Sequence, residues 1–459
     1  MKRLFFYSLL LLIGISSSMR GQQYTVEEIH QSRAGRDGLN IVILSEGYTE
    51  SQLKRFHRES VEMADSFFRH TPWKEYKEYI NFYAVPIASK VSGAGLTPEE
   101  PVDNVYGVTF GAYGVDRMPW PSNMNKVYQV LNATVPDHDM VIILVNMNKY
   151  GGGGGNGFVC LSNFKSGYWV NDYFQTIVHE AGHALGDLAD EYWYDGRERP
   201  NQTRTSNPER VKWKNWIGKD KVGVYPYEED NTWYRPHQNC QMRYLGQRYC
   251  DVCREALVEA IHKKVKPIIG HTPDNKKSVY ADAQDETITF SLDLLKPKPN
   301  SLFVNWKLDS KVLENEHEDS LVIQLDSLET PTRLHLLTAS VEDKSKYLLV
   351  DNHASIHVST VTWRFKREED TNAIEVVSSS KDDITLSSLP FNDQLTVRLA
   401  EDGQPFTAQL CDLAGRVVAT SDATSEAVLH TASLPQGIYV LRLIRKGELF
   451  YSRKVSINH

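Results

Sequence analysis

The sequence predicts an α/β domain, then an immunoglobulin-like β-sandwich, then a small C-terminal β domain. Three observations carry this. Apolar strands alternate with helical periods as far as about residue 268, which is the signature of an α/β layer. Period-two alternation with no helical stretch then occupies residues 277–366. Beyond a charged, serine-containing connector, turn-punctuated strands fill residues 383–459. A chain of 459 residues accommodates roughly two to four domains, so this division is economical.

Taken in order, the chain begins with an address. Lys2 and Arg3 precede the apolar run Leu4 to Ile15, followed by Ser16-Ser17-Ser18 and Gly21-Gln22-Gln23. This is the pattern of a secretory signal peptide over residues 1–22, cleaved before Gln22 or Gln23. The run is short for a membrane span, and no cysteine follows it to carry a lipid. The net charge of −8 leaves no basic footprint for nucleic acid.

The α/β domain is expected over 23–268. Leu39 to Leu44 reads as a buried strand between Gly38 and Gly47, and Thr49 with Gln52 makes a capping box for a helix running to about His70. Leu53, Phe56, Met63 and Phe67 mark the core side of that helix. Ile80 to Ile87 and Met140 to Val145 are further strands. Residues 91–135, rich in Gly, Pro and Asn, are expected to form long loops lining a cleft. Tyr150 and the run Gly151 to Gly155 predict a rim strand and flexible loop, where an extended peptide pairs by strand addition; a solvated turn is the competing expectation. Gly151 and Gly152 are therefore candidate accessory positions.

The segment His179-Glu180-Ala181-Gly182-His183-Ala184-Leu185-Gly186-Asp187-Leu188-Ala189-Asp190-Glu191-Tyr192 carries the chemistry. Phe174, Val178, Ala181 and Leu185 recur at helical spacing, so His179 and His183 share one face and can grip a single tetrahedral cation, expected to be zinc. Glu180 is placed to act as general base on an attacking water. A third ligand cannot come from the same straight helix, because Asp187 and Asp190 would lie about 6 to 10 Å further along the axis. Gly186 is expected to turn the chain by taking positive φ. Asp190 is the preferred third ligand, one residue beyond the metzincin spacing that would use Ala189; Asp187, Glu191 and His237 stay open as substitutes.

Downstream, residues 192–236 are dense in Trp and Tyr, more in keeping with packing than with a pocket floor. Met242 is a candidate for a methionine turn beneath the metal, and Arg243 or a nearby tyrosine for an assisting role. Cys250-Asp251-Val252-Cys253 is a lone pair and does not make a four-cysteine zinc site. In an exported protein, a disulfide from Cys240 to Cys250 or Cys253 is expected instead. A helix from Asp251 to Lys263 closes the domain.

His179 to Tyr192, the Tyr150–glycine segment and the Met242 region together resemble the IgA-specific metallopeptidase family of zincins, over roughly residues 24–268. That resemblance implies a zincin-like α/β metallopeptidase fold, one zinc held by His179, His183 and Asp190, and Glu180 as the catalytic acid/base. The activity so implied is hydrolysis of peptide bonds in extracellular or host proteins, endopeptidase rather than exopeptidase. The substrate is a protein or peptide; immunoglobulin does not follow from family alone. The rival reading is a cell-surface adhesin or glycan-binding protein with a structural metal, which would need four protein ligands.

In the sandwich, Ile288, Phe290 and Leu292 alternate, as do Leu302, Val304, Trp306 and Leu308; Leu321–Leu325, Leu334–Val341 and His357–Phe365 complete it. Lys366 to Thr371 and Ser378-Ser379-Ser380 form the connector. Pro390 to Val397, Asp412 to Arg416, Leu434 to Tyr439 and Lys454-Val455 resemble a type IX secretion C-terminal sorting domain. That likeness implies a bacterial protein, secreted or at the cell surface, whose tail meets a secretion machinery. No oligomeric state follows from the sequence.

Overall fold

The computed structural model describes residues 24–165, 167, 173–368, 384–387, 393–399 and 404–457. The expected leader, most of the connector after Glu368 and the Pro390-Phe391-Asn392 start of the tail lie outside the described residues.

The N-terminal part is built on a six-stranded sheet. Its strands are β1 (Glu27–His30), β2 (Leu39–Glu46) and β3 (Ile80–Val85), then, beyond a short ribbon of β4 (Val108–Thr109) and β5 (Trp120–Pro121), β6 (Met140–Val145), β7 (Gly152–Gly155) and β8 (Phe158–Ser162). The order is β1-β3-β2-β6-β8-β7; β3, β2, β6 and β8 run parallel, while β1 and β7 are antiparallel edges. The central strands read as continuous apolar runs because both faces are covered. Ile41 and Ile43 of β2 enter one core, and Val42 and Leu44 enter the other.

Helix α1 (Leu53–Phe67) follows a 3₁₀ turn in which Thr49 and Gln52 form the expected reciprocal cap, and it buries Phe56, Met63 and Phe67. Residues 91–135 are more ordered than their composition suggests. They contain the β4/β5 ribbon and α2 (Met124–Thr134), capped by the Asn123 side chain accepting from the Lys126 amide at 3.1 Å. Val127, Val130 and Leu131 bury a narrow stripe that a polar, proline-rich flank obscures. The glycine run supplies the expected rim strand, β7 at the sheet edge, rather than a solvated turn. Gly151 has no room for a side chain: a Cβ there would collide with the Arg117 carbonyl and come within 2.6 Å of the Phe110 ring.

Helices α3 (Tyr173–Gly186) and α4 (Asp251–Lys264) pack against each other, with α3 lying across β7 and β8. The β-sandwich follows directly. Ile268–Thr272, Thr287–Leu294 and Ser320–Gln324 form one sheet. Val279–Ala281, Val358–Arg367, His335–Asp343, Leu302–Leu308 and Lys311–Val312 form the other. Phe290, Trp306, Trp363 and Phe365 fill the space between them. Asp343 ties this unit to the α/β part: it accepts from Tyr76 Oη (2.5 Å), Ser301 Oγ (2.8 Å) and the Ser345 amide (2.9 Å), and meets His262 Nε2 of α4 at 2.7 Å. In the tail, a three-stranded and a four-stranded sheet enclose a separate core. Its Asp412–Arg416 turn needs Gly415 at φ +83°, with the Asp412 carboxylate accepting from the Ala414 and Arg416 amides.

Candidate metal centre

Helix α3 presents His179 and His183 one turn apart, while Ile177, Val178 and Ala181 anchor it in the core. The chain leaves the helix at Gly186, but the expected positive φ is not there. Asp187 adopts it, at φ 50°. Gly186 is required for a different reason: a Cβ would lie 2.6 Å from Leu257 Cδ2 of α4. The reversal is closed by the Leu188 amide donating to the Gly182 carbonyl at 3.1 Å, and it returns Asp190 to the histidines.

Asp190 Oδ1 lies 3.1 Å from His179 Nε2 and 3.3 Å from His183 Nε2, and the two Nε2 atoms are 3.2 Å apart. The far side of each ring explains the chemistry. His179 Nδ1 faces the Gln241 carbonyl at 2.9 Å, and His183 Nδ1 faces the Leu188 carbonyl at 2.7 Å. A carbonyl only accepts, so each Nδ1 carries a proton and Nε2 is the ring position turned inward, free to give a lone pair to a cation that displaces its proton. Two imidazole Nε2 atoms and a carboxylate oxygen therefore converge. Asp190 Oδ1 is buried and lacks a hydrogen bond of good geometry despite these short distances. The three residues thus offer the donors of a cation site.

The electrostatics agree. Burial opposes charge on the imidazoles, yet Asp190, with the nearby Glu180, outweighs it: His179 is raised and His183 is pushed up to about 9. Burial would raise Asp190, but the two histidines hold it well below the usual carboxylate range. The cluster attracts positive charge, whether protons or a cation.

The other candidates are placed elsewhere. Asp187 is exposed and paired with Arg199; His237 hydrogen-bonds the Asp220 carbonyl and the Asn239 amide. Glu191 turns away from Asp190 into a buried pocket with Cys240, Cys250 and Cys253. All five cysteines are free thiols, so the expected disulfide is not formed; Cys240 Sγ and Cys253 Sγ stand 3.7 Å apart.

Met242 is fully buried beneath α3, so close that a Cβ on Gly182 would come within 2.5 Å of its sulfur, and its carbonyl accepts from the Glu191 amide at 2.8 Å. Arg243 is bound to Glu228 (2.5 Å) and to the Gln238 carbonyl (3.0 Å). It shares a cavity of about 220 Å³ with Glu180, Tyr192, Arg117 and Gly152. On the other side of the cluster a cavity of about 470 Å³ includes Gly154, Gly155, His183, Asp190 and Trp193. Tyr192 was not singled out from the sequence. It is half exposed, its ring stacks 6.4 Å from His179, and burial of its hydroxyl beside Asp190 and Glu180 raises its pKa. Half of the other Trp and Tyr residues of this stretch, Trp213, Trp216, Tyr227 and Trp233, are buried.

His179, His183 and Asp190 thus form a three-donor cation cluster beside the helix-borne Glu180, bordered by two cavities. Residues 28–232 match the IgA peptidase M64 family, as the sequence resemblance suggested. Residues 389–458 match a secretion system C-terminal sorting domain. Together these matches support a secreted or surface-located peptidase that uses a metal. Among the described residues no helix is long and apolar enough to cross a membrane. No curated protein matches the chain significantly. Similar solved structures include SGBP-B of the Bacteroides ovatus mixed-linkage glucan utilization locus, in complex with a mixed-linkage heptasaccharide. It is 14% identical over 41% of this chain and 47% of that one, with a TM-score of 0.16. The fibronectin(III)-like modules of Clostridium thermocellum CbhA are 12% identical over 40% of this chain and 90% of theirs, at 0.15. The chain spans about half the length of the first, at 47%. TM-scores this low carry no weight for fold or function.

Proposed function

We propose that the chain is a zinc-dependent metalloendopeptidase, exported through a leader at 1–22 and a C-terminal domain at 383–459, with its catalytic part at 23–268 and the sandwich at 277–366. One observation carries the reading: two imidazole Nε2 atoms and Asp190 Oδ1 converge within 3.3 Å, each ring oriented by a backbone carbonyl at Nδ1 so that Nε2 faces inward.

His179, His183 and Asp190 are the residues that would hold a single zinc ion. When bound, zinc supplies Lewis acidity, polarising a scissile carbonyl and making water acidic near neutral pH. Glu180, which follows His179 on α3 and faces the smaller cavity, takes the proton of the attacking water and passes it to the leaving amine. Tyr192 and Arg243 border the same cavity and are placed to orient the substrate carbonyl. β7 is an antiparallel sheet edge that borders both cavities, so an extended peptide can add to it and cross the cluster. Two separate cavities at the cluster, one lined by His179 and Glu180 and one by His183 and Asp190, leave room for chain beyond the cut bond in either direction, which favours internal bonds over chain ends. At this cluster the adhesin reading fits less well, since a metal that is only structural there would need a fourth protein ligand and, among the described residues, the cluster has three.

Glu180→Gln tests this. Peptide-library hydrolysis is expected to fall by at least roughly 10²-fold while bound zinc is retained. Unchanged hydrolysis by the variant would refute Glu180 as the base.

A further inference from the structure

Four buried side chains outside the His–Asp cluster converge on a second point. Glu191 comes from the loop that presents Asp190, Cys240 from the turn before Met242, and Cys250 and Cys253 from the N-terminal end of α4. One ligating atom of each lies within 4.8 Å of all the others, and no member is more than 2% exposed. We propose that Glu191, Cys240, Cys250 and Cys253 form a second zinc site, structural and closed by four protein ligands.

The distances suit a metal better than a covalent bridge. Zinc–sulfur bonds of about 2.3 Å and zinc–oxygen bonds of about 2.1 Å, set tetrahedrally, place two sulfurs about 3.8 Å apart and a sulfur and an oxygen about 3.6 Å apart. Cys240 Sγ and Cys253 Sγ are separated by 3.7 Å. Glu191 Oε1 stands 3.3 Å from Cys253 Sγ and 3.9 Å from Cys250 Sγ. A disulfide would require about 2.05 Å.

The donors also need a cation. Glu191 is fully buried, its Oε2 has no hydrogen-bond partner, and Oε1 receives only a 3.3 Å contact from Asn201 Nδ2 besides the thiols. No ion pair among those of the described residues involves Glu191; the buried Arg235 feels its charge but makes no ion pair with it, so its burial is only weakly compensated. The Cys250 amide donates to Cys240 Sγ at 3.3 Å, and the first turn of α4 adds the positive end of its dipole to the thiols of Cys250 and Cys253.

The location gives the site a task. Asp190 and Glu191 are neighbours that face opposite ways, so one peptide unit links the two centres. The Glu191 amide donates to the Met242 carbonyl, and the segment after Cys240 supplies the Gln241 carbonyl that orients His179. A metal here would clamp, from behind, the loop and the turn that set two of the three donors of the first cluster. Cys240, Cys250 and Cys253 lie beyond the 28–232 family match. These residues are positioning residues and touch no substrate.

The site stands or falls independently of the proposed peptidase centre, and metal analysis of the full chain separates them. Wild type is expected to bind about two zinc equivalents and His179→Ala/His183→Ala about one. That double variant, loaded with cobalt(II), should show thiolate-to-cobalt charge-transfer absorption, which histidine and carboxylate ligands cannot produce. Adding Cys253→Ser should cut the band by at least about a third, one thiolate of three, and an unchanged band would overturn the site; should that variant fail to fold, the double-histidine variant alone decides. Unfolded in chelator without reductant, wild type should titrate all five cysteines. A metal-free double-histidine variant, or a count of three thiols with no charge-transfer band, would overturn the site. A single zinc equivalent in wild type, accompanied by the band on cobalt exchange, supports this site and counts against the first.

Discussion

Gly154→Ala probes how the catalytic glutamate is seated. Alternation along β7 turns Gly152 and Gly154 toward α3, and Gly153 and Gly155 to the other face. A Cβ on Gly154 would lie 2.7 Å from Glu180 Oε2, 3.1 Å from the Phe158 carbonyl oxygen and 3.3 Å from Val159 Cγ2. A carbon–oxygen contact relaxes at roughly 3.3 Å, so the Glu180 carboxylate must retreat by roughly 0.6 Å, because the Phe158 backbone blocks the new methyl group on its other side. Misplacement of a reacting group by about 1 Å can cost about 10²-fold. The expected loss in kcat/KM is therefore roughly 10- to 50-fold, with zinc content and thermal stability close to wild type. The assay is hydrolysis of a peptide selected from a library digest, read beside metal analysis and a thermal melt. Gly155→Ala is the matched control, since its Cβ meets nothing within 4 Å. Full activity in Gly154→Ala, or an equal loss in Gly155→Ala, would refute the seating of Glu180 against this strand.

Three further outcomes are expected. Asp343→Ala strands Tyr76, Ser301 and His262 at the junction of the α/β part and the sandwich, and should destabilise by about 3–5 kcal/mol in denaturant unfolding; a loss below about 1 kcal/mol would show the junction to be dispensable. Burial alone would raise the Asp343 carboxyl, but His262, then Tyr76 and Ser301, hold it below the ordinary 3.8. A depressed carboxyl stabilises above that value and loses its contribution as pH falls through the folded pKa. Wild type should therefore weaken more steeply than Asp343→Asn on acidification below 3.8, and parallel melting curves would contradict the pairing. Finally, protein recovered from outside its native host should begin at Gln22 or Gln23 and lack residues 383–459 by mass spectrometry. An intact tail on released protein would count against its removal during sorting.

Local spacing carried much of the site. His179, Glu180 and His183 were legible because the i, i+4 relation is a property of any helix. The Thr49–Gln52 cap and strands β2, β3 and β6 were legible on similar grounds, since caps and apolar runs are written in neighbouring residues. The glycine run was half legible, since a rim strand and a solvated turn both stood open, and α2 was less so, because only three apolar residues, Val127, Val130 and Leu131, mark its buried face within a polar segment.

The amino-acid sequence by itself determined the helix that presents two imidazoles and a glutamate, the alternation that makes the sandwich, and the turn-rich tail. Only the tertiary structure decided which carboxylate joins the histidines, because the reversal depends on Asp187 at positive φ and on Gly186 fitting under Leu257 of α4. It also decided that Cys240 pairs with no cysteine and instead gathers with Glu191, Cys250 and Cys253. Glu191, Cys240 and the Cys250–Cys253 pair lie on three segments far apart in the chain. Periodicity reports which face of one element is buried; it holds no record of which distant elements meet there.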